Sequence, residues 1–338
     1  MSAQPAKVED NDIELLERLA TARAALLEQV SHRIVGQLGV LEGILTAIVS
    51  GGHGLLVGVP GLAKTLMVST IADALDLKFA RIQFTPDLMP SDITGTEIIE
   101  EDPKTGKREF RFVHGPIFAN VVLADEINRT PPKTQAALLQ AMQEHEVTAS
   151  GDTYQLPEPF FVLATQNPIE QEGTYPLPEA QLDRFMLELR VEYPGRDDEE
   201  RIVEATTSDD EHPVEAVLSG PELTRIQHLV RRIPAPKPVV RAAVALARMT
   251  RPSDEQAPET VKEFVDWGAG PRASQYLVLG SKARAALDGR PMADLDDLKS
   301  VALSVLRHRV VVNFAAEAAG RTAQDVCAEL IDGGGWIV

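Results

Sequence analysis

Apolar positions change rhythm twice along the chain. From Asp12 they fall at Ile13, Leu15, Leu16, Leu19, Ala20, Ala24, Leu26, Leu27 and Val30, a helical spacing that gives one face to a core. A second apolar helix is predicted over about residues 40–49, and Gly51-Gly52-His53-Gly54 breaks it. Strands are predicted at about 55–57, 79–84, 119–124, 160–164 and 186–191, with 119–124 a near-continuous apolar run. Runs of that length suit parallel strands buried on both faces. Helices are predicted between them, one from Thr65 to about Leu75 and one over 133–144 opened by Pro131 and Pro132. Two weaker alternating pairs, flanking 102–106 and turning at Ser150-Gly151-Asp152, predict β-hairpins.

Strand and helix thus alternate from about 50 to 192, the pattern of a parallel sheet with helices on both faces, and the expected fold class is α/β. Beyond Pro194-Gly195 the rhythm is helical, with polar or proline-rich joints and almost no strand signal. The expected organisation is a disordered stretch over 1–11, an α/β domain over 12–193 carrying the two hairpins, a small all-helical domain over 194–332, and a flexible tail over 333–338 with an apolar tip at Trp336.

Composition narrows the partners. The 33 basic against 51 acidic residues give a net charge of −18, so the general surface repels polyanions and a sequence-independent grip on nucleic acid is not expected. The basic run from Arg231 and Arg232 through Lys237, Arg241, Arg248 and Arg251 reads as a solvated helix surface or a contact with an acidic neighbour. Cys327 stands alone, which rules out an intrachain disulfide. No run approaches the roughly 18 to 20 apolar residues of a membrane span, and the first ten residues lack an apolar signal core. A soluble, cytoplasmic protein is expected.

Three strand ends carry the candidate chemistry. After the run at 55–57 comes Gly58-Val59-Pro60-Gly61-Leu62-Ala63-Lys64-Thr65, with Leu66 behind it. This is the spacing of a phosphate-cradling loop: free backbone N–H groups at a helix start, a lysine for the anion and a hydroxyl for a magnesium ion. Ala63 stands where glycine is usual. After 121–124 comes Asp125-Glu126, the first carboxylate suited to magnesium and the second to orienting and deprotonating a water that attacks a γ-phosphate. After 161–164 comes Thr165-Gln166-Asn167, whose amides could reach the same phosphate or the attacking water, although Asn167-Pro168 also suits a plain turn. No His/Cys/Asp cluster with metal-ligand spacing occurs.

These stretches resemble an AAA+ ATPase, specifically the MoxR family. The resemblance rests on 58–65, on Phe84-Thr-Pro-Asp-Leu-Met-Pro-Ser-Asp92, His114-Gly-Pro-Ile-Phe118, Leu123-Ala-Asp-Glu-Ile-Asn-Arg129, Ala164-Thr-Gln-Asn-Pro168, Leu177-Pro-Glu-Ala-Gln-Leu-Asp-Arg-Phe185 and Pro271-Arg-Ala273. They cover most of the chain in the expected order, and Ala63 is normal for that family. The resemblance implies ATP and Mg2+ as cofactors, with Val35, Gly36 and Gln37 near the adenine, Gly58 to Leu66 and Asp125 on the phosphates, and Thr65 and Asp125 on the metal. It makes Lys64 and Glu126 catalytic, Asn167 the sensor of the γ-phosphate, Arg184 the arginine finger entering a neighbouring subunit's site, and Arg272 the second sensor on the helical lid. It further implies a ring, a hexamer by expectation, whose hairpins face a central pore. Client proteins follow too, some with a von Willebrand A domain and a bound metal.

Plainer alternatives stay beside these. Arg184 follows Asp183 and also suits a structural ion pair, Arg272 also suits a solvated first helical turn, and Arg129 and Lys133 suit solvated loop positions or a neighbour. For the whole protein the alternatives are an ATP-switched binding module with little turnover and a DNA-directed motor.

Overall fold

The structure, a computed structural model, describes residues 10–101, 108–149, 151–170, 173–208 and 213–337. Residues 1–9, the hairpin turn at 102–106 and Ser150, on which expectations were placed above, lie outside them. The first helix, α1 (Asp10–Ser31), includes Asn11, at which disorder was expected. α2 (Leu38–Ser50) follows and ends on Gly51 in the left-handed conformation.

Strand β1 (Gly54–Val57) leads to α3 (Lys64–Ala74) and β2 (Phe79–Gln83). After α4 (Pro90–Thr94), β3 (Gly95–Glu101) and β4 (Arg108–His114) form an antiparallel hairpin. The chain returns as β5 (Val121–Asp125), helix α5 (Pro132–Glu144) and a second hairpin of β6 (Glu146–Ala149) and β7 (Asp152–Gln155). It closes the sheet with β8 (Phe161–Gln166), the short α6 (Glu179–Leu182) and β9 (Leu187–Arg190). The order across the sheet is β2-β5-β8-β1-β9, every pairing parallel.

Each central strand supplies both cores by alternation. Val121, Leu123, Phe161 and Leu163 pack with α1, α2 and α3 on one face, while Val122, Ala124, Val162 and Ala164 pack with α5, Phe84 and Ile117 on the other. A strand buried on both faces needs no polar alternate, which is why these runs are continuously apolar. On the second face the two hairpins meet through aromatic rings. Phe112 of β4 stacks on Tyr154 of β7 at 4.2 Å, and His114 sits edge-on against Phe118 at 4.0 Å.

The remainder is helical as expected, with α7 (Arg196–Thr207), α8 (Gly220–Arg232), α9 (Lys237–Met249), α10 (Glu259–Phe264), α11 (Pro271–Leu287), α12 (Leu295–Leu306), α13 (Phe314–Ala318) and α14 (Ala323–Asp332). It carries one short antiparallel pair that the sequence did not signal, β10 (Val265–Trp267) with β11 (Val311–Val312). Three residues against two leave no readable period. Leu229 of α8, Leu246 of α9, Leu277 of α11 and Val305 of α12 join the same core cluster as Leu19 of α1 and Ile44 of α2. The helical part therefore lies against one face of the sheet instead of standing clear of it. Among the described residues no helix is long and apolar enough to cross a membrane.

The expected flexible tail is the clearest correction. Trp336 is 1% exposed, sits in that core, and donates its indole N–H to the Ile331 carbonyl at 2.9 Å. Three glycines let the chain reverse after α14, and burial of the large ring offsets the entropy of ordering it. Replacing Trp336 with Ala should cost about 3–5 kcal/mol, read as a lower denaturant midpoint; an unchanged midpoint would show the ring contributes nothing to the core.

Candidate functional site

The loop after β1 is shaped by two close constraints. Gly58 donates its N–H to the Gln166 carbonyl of β8 at 3.2 Å, and a Cβ there would lie 2.6 Å from the Val191 carbonyl oxygen. Only glycine fits. At the far end of the turn Ala63 caps α3 with φ of 52°, in the left-handed region. That conformation costs a non-glycine residue about 1–2 kcal/mol, which explains why glycine is usual there and why alanine is among the least costly replacements.

In α3 the first N–H bonded backward is that of Met67, to the Ala63 carbonyl at 2.9 Å. The N–H groups of Lys64, Thr65 and Leu66 thus have no partner within the helix, and no carboxylate stands in its first turn. A helix start of this kind accepts an anion. The Lys64 ammonium turns back onto the loop, donating to the Gly58 carbonyl and to that of Val59 at 3.0 Å. Burial pushes its pKa down, opposed by the charges of Asp125 and Glu126.

Those carboxylates arrive from β5, separated from β1 by β8 alone. Asp125 is buried; one oxygen accepts from the Thr165 hydroxyl at 2.6 Å, the other from Arg81 Nε at 3.0 Å and Nη2 at 2.6 Å. The same Thr165 hydroxyl accepts the Glu126 N–H at 2.8 Å. Glu126 itself has φ of 57°, a second left-handed non-glycine residue, so its side chain leaves the strand direction. Its carboxylate accepts from Gln83 Nε2 at 2.8 Å and pairs with Arg129 at 3.2 Å. Arg129, expected at a solvated loop or a neighbour, is held within the chain by Glu126 and by Glu170 at 2.7 Å.

Asn167 follows β8 between the two. It is 5% exposed; its Oδ1 accepts from the Ile169 N–H at 3.2 Å, while its buried Nδ2 has no hydrogen-bond partner. An orphaned buried donor is costly, and a phosphate oxygen is the kind of acceptor that would satisfy it. The donor set also fits a hard cation: the Asp125 carboxylate and Thr65 hydroxyl are oxygen ligands of the right type. No cluster of three or more His, Cys, Asp or Glu able to hold a metal occurs among the described residues, so most of such an ion's shell would come from phosphate and water.

Val35, Gly36 and Gln37 stand where α1 gives way to α2. Gly36 and Gln37 take left-handed φ values of 71° and 58°, and Gln37 Nε2 donates to the Glu192 carbonyl at 2.7 Å. Val35 and Leu66 line a cavity of about 900 Å³ together with His32, Arg33 and, from α7, Arg201 and Glu204. Its size is that of a pocket for a whole small ligand. Of the sequence-predicted nucleotide residues, Val35 and Leu66 line this cavity, and Leu66 joins it to the first turn of α3 behind the loop.

Arg184 and Arg272 are not part of it. Because β9 runs parallel to β1 with Leu187 opposite Gly54, Arg184 lies beyond the opposite end of the sheet, about 13 Å of strand from the loop's edge. Arg272 is beside it, donating to Asp183 at 3.2 Å. The ion pair considered for Arg184 is thereby taken: Asp183 is held by Arg272 and by Arg309, whose Nε donates to it at 2.8 Å. Arg309 is buried, and its remaining donors reach the carbonyls of Asp183 at 3.0 Å, Phe185 at 2.6 Å and Met186 at 3.3 Å. Tyr276 adds a hydroxyl bond to the Arg184 carbonyl at 3.3 Å. The segment bearing Arg184 is thus bolted to the helical part.

Sequence reasoning missed Arg81, Gln83, Thr165 and Arg309. Arg81 and Gln83 share one face of β2, and Gln83 pairs in register with Asp125. Two polar residues spaced by two in a strand were a signal, but the neighbour they address depends on strand order. Arg309 sits 126 residues from its partner Asp183 and nothing local marks it.

Comparisons with known proteins agree in outline. Residues 53–187 match the family model described as "ATPase family associated with various cellular activities (AAA)", and residues 257–330 match the AAA lid domain. "Chaperone MoxR1" of Mycobacterium tuberculosis is 42% identical over 89% of this chain and 78% of its own. "Protein MoxR" of Methylorubrum extorquens is 30% identical over 86% and 87%. A crystal structure of a candidate ATPase from Cytophaga hutchinsonii superposes with a TM-score of 0.87 at 38% identity, covering 94% of this chain and 96% of that one. Fold, site layout and relatives converge: the chain belongs to the MoxR family of AAA+ ATPases.

Proposed function

We propose that this protein hydrolyses ATP in a ring of identical copies and uses the turnover to remodel or activate client proteins. The observation that carries the hydrolytic reading is the meeting of three adjacent strand ends. They bring Lys64, Asp125 with Glu126, and the orphaned Nδ2 of Asn167 to one edge of the sheet. In this reading the adenine occupies the cavity beside Val35, Gly36 and Gln37, and the phosphates lie on the N–H groups of residues 58–66 with Lys64 supplying positive charge. Glu126 accepts a proton from the attacking water, and Asn167 donates to the γ-phosphate. Thr65 and Asp125 would hold magnesium, which neutralises charge on the phosphates when bound.

Arg184 cannot serve its own chain's loop from the opposite end of the sheet, which supports its assignment to the site of an adjoining copy, with Arg272 on the same side. Six copies is the expected number. A relative named as a chaperone supports protein clients, and the resemblance to MoxR proteins extends this to von Willebrand A domain partners. Work on cytoplasmic clients follows from the same reading.

Glu126→Gln should retain ATP binding while turnover falls about 10²- to 10⁴-fold; lost binding would make the residue structural. For Arg184→Ala, the expected result is ATP binding at wild-type affinity and a loss on the order of 10³ in turnover, and near-normal turnover would overturn the assignment in trans. Specific activity should also rise with protein concentration as copies associate. Left-handed backbone at residue 63 tolerates a β-branched side chain poorly, so Ala63→Val should weaken nucleotide binding about tenfold, while Ala63→Gly should bind at least as well. Equal affinity in both variants, by fluorescent-nucleotide titration, would place the loop's strain elsewhere.

A further inference from the structure

The basic run that began at Arg231 resolves into separate roles. Arg232 pairs with Asp12, Arg248 with Asp254 at 2.8 Å, and Arg251 donates to the Ala269 carbonyl at 2.9 Å. Arg241 lines a separate surface hollow with Arg248 and Arg251. Arg231 is exposed, but alone of the run it lines the cavity of about 240 Å³ that Arg184 and Arg272 also line, with His53, His145 and Tyr276, and it borders a second hollow beside Val240, Val244 and Lys282. Three elements far apart in sequence supply those arginines: the last turn of α8, the segment after α6, and the first turn of α11.

The charge balance of this cavity is lopsided. Asp183 is the carboxylate that pairs with Arg272, and Arg309 shares it. Neither Arg184 nor Arg231 makes an ion pair among the described residues. Burial and the nearby Arg272 both push the Arg184 pKa down, with Glu144 opposing them. The end of α8 is held by Lys282, which donates to the Arg231 carbonyl at 3.0 Å from the side of the second hollow. Arg184 and Arg272 are half-buried and Arg231 is exposed, so solvent screens part of their mutual repulsion, and an anion among the three would relieve the rest. At about 240 Å³ the cavity is below the roughly 300–1,000 Å³ of pockets for whole ligands and suits a phosphoryl group. It also lies at the end of the sheet away from this chain's own phosphate loop, so the anion must come from another molecule.

We propose that Arg231 is a third phosphate-binding arginine of this surface, closing with Arg184 and Arg272 on the terminal phosphate of the nucleotide held by an adjoining copy. The proposal rests on the reading of Arg184 as acting in trans. Its contribution is the one general to preorganised donors aimed at developing charge, about 10²-fold in turnover for one such group.

The test compares Arg231→Gln, Arg231→Lys and Arg184→Ala in the full chain. Arg231→Gln should bind ATP with unchanged affinity, because its own loop is intact, yet lose about 10²-fold in kcat and fail to assemble stably with ADP and aluminium fluoride. Arg231→Lys should recover part of both. Mixing Arg231→Gln with Lys64→Ala subunits should restore activity, since each supplies the half the other lacks; a merely structural role for Arg231 would give no such rescue, and its absence overturns the proposal. Normal turnover in Arg231→Gln with Arg184→Ala inactive overturns the role of Arg231 and leaves the trans reading standing. Normal turnover in both overturns the trans reading itself. A titration with inorganic phosphate alone separates the remaining source: binding abolished by Arg231→Gln while turnover is untouched would make this a free-anion site and overturn the proposal.

Discussion

Parallel pairing of five short strands, the central ones buried on both faces, is the constraint from which the rest follows. Such strands cannot carry polar side chains along their length, so polar chemistry is displaced to their ends. The order β5-β8-β1 then sets Asp125-Glu126, Asn167 and the Gly58–Lys64 loop side by side without any direct contact being required among them. Thr165 completes the arrangement. Its single hydroxyl donates to Asp125 and accepts from the Glu126 backbone, tying the end of β8 to the end of β5.

Much of this was legible in the residues. The five strands, the phosphate-loop spacing and the Asp-Glu pair each carry a local signature, because each depends on neighbours within about ten positions. What escaped was set by partners distant in sequence. Arg81 and Gln83 acquire meaning only once β2 is placed beside β5. The side on which Arg272 works depends on α11 lying across α1 and α2, a packing choice with no local mark. Trp336 was misjudged for the opposite reason: its flanking glycines resemble a free hinge locally, while the core that receives it comes from α9, α14 and their neighbours. The left-handed conformation of Ala63 turns the sequence's one departure from the usual loop into a local backbone cost.

Two sets of donor groups sit at opposite ends of the same sheet. At one end, backbone N–H groups, Lys64 and an orphaned amide await negative charge; at the other, Arg184, Arg231 and Arg272 gather more positive charge than one carboxylate balances. A fold that presents complementary halves on opposite sides is suited to head-to-tail association, in which each copy is donor to one neighbour and recipient from the other.

Asp183 sits at the hinge of that arrangement. Through Arg309 and Arg272 it joins the segment carrying Arg184 to the helical part, whose α7 forms a wall of the cavity beside Val35. On the ring reading proposed above, that joint ties the position of Arg184 to the helical part of its own chain. The position of an arginine offered to a neighbour would then be set by one half-buried carboxylate held between two guanidinium groups.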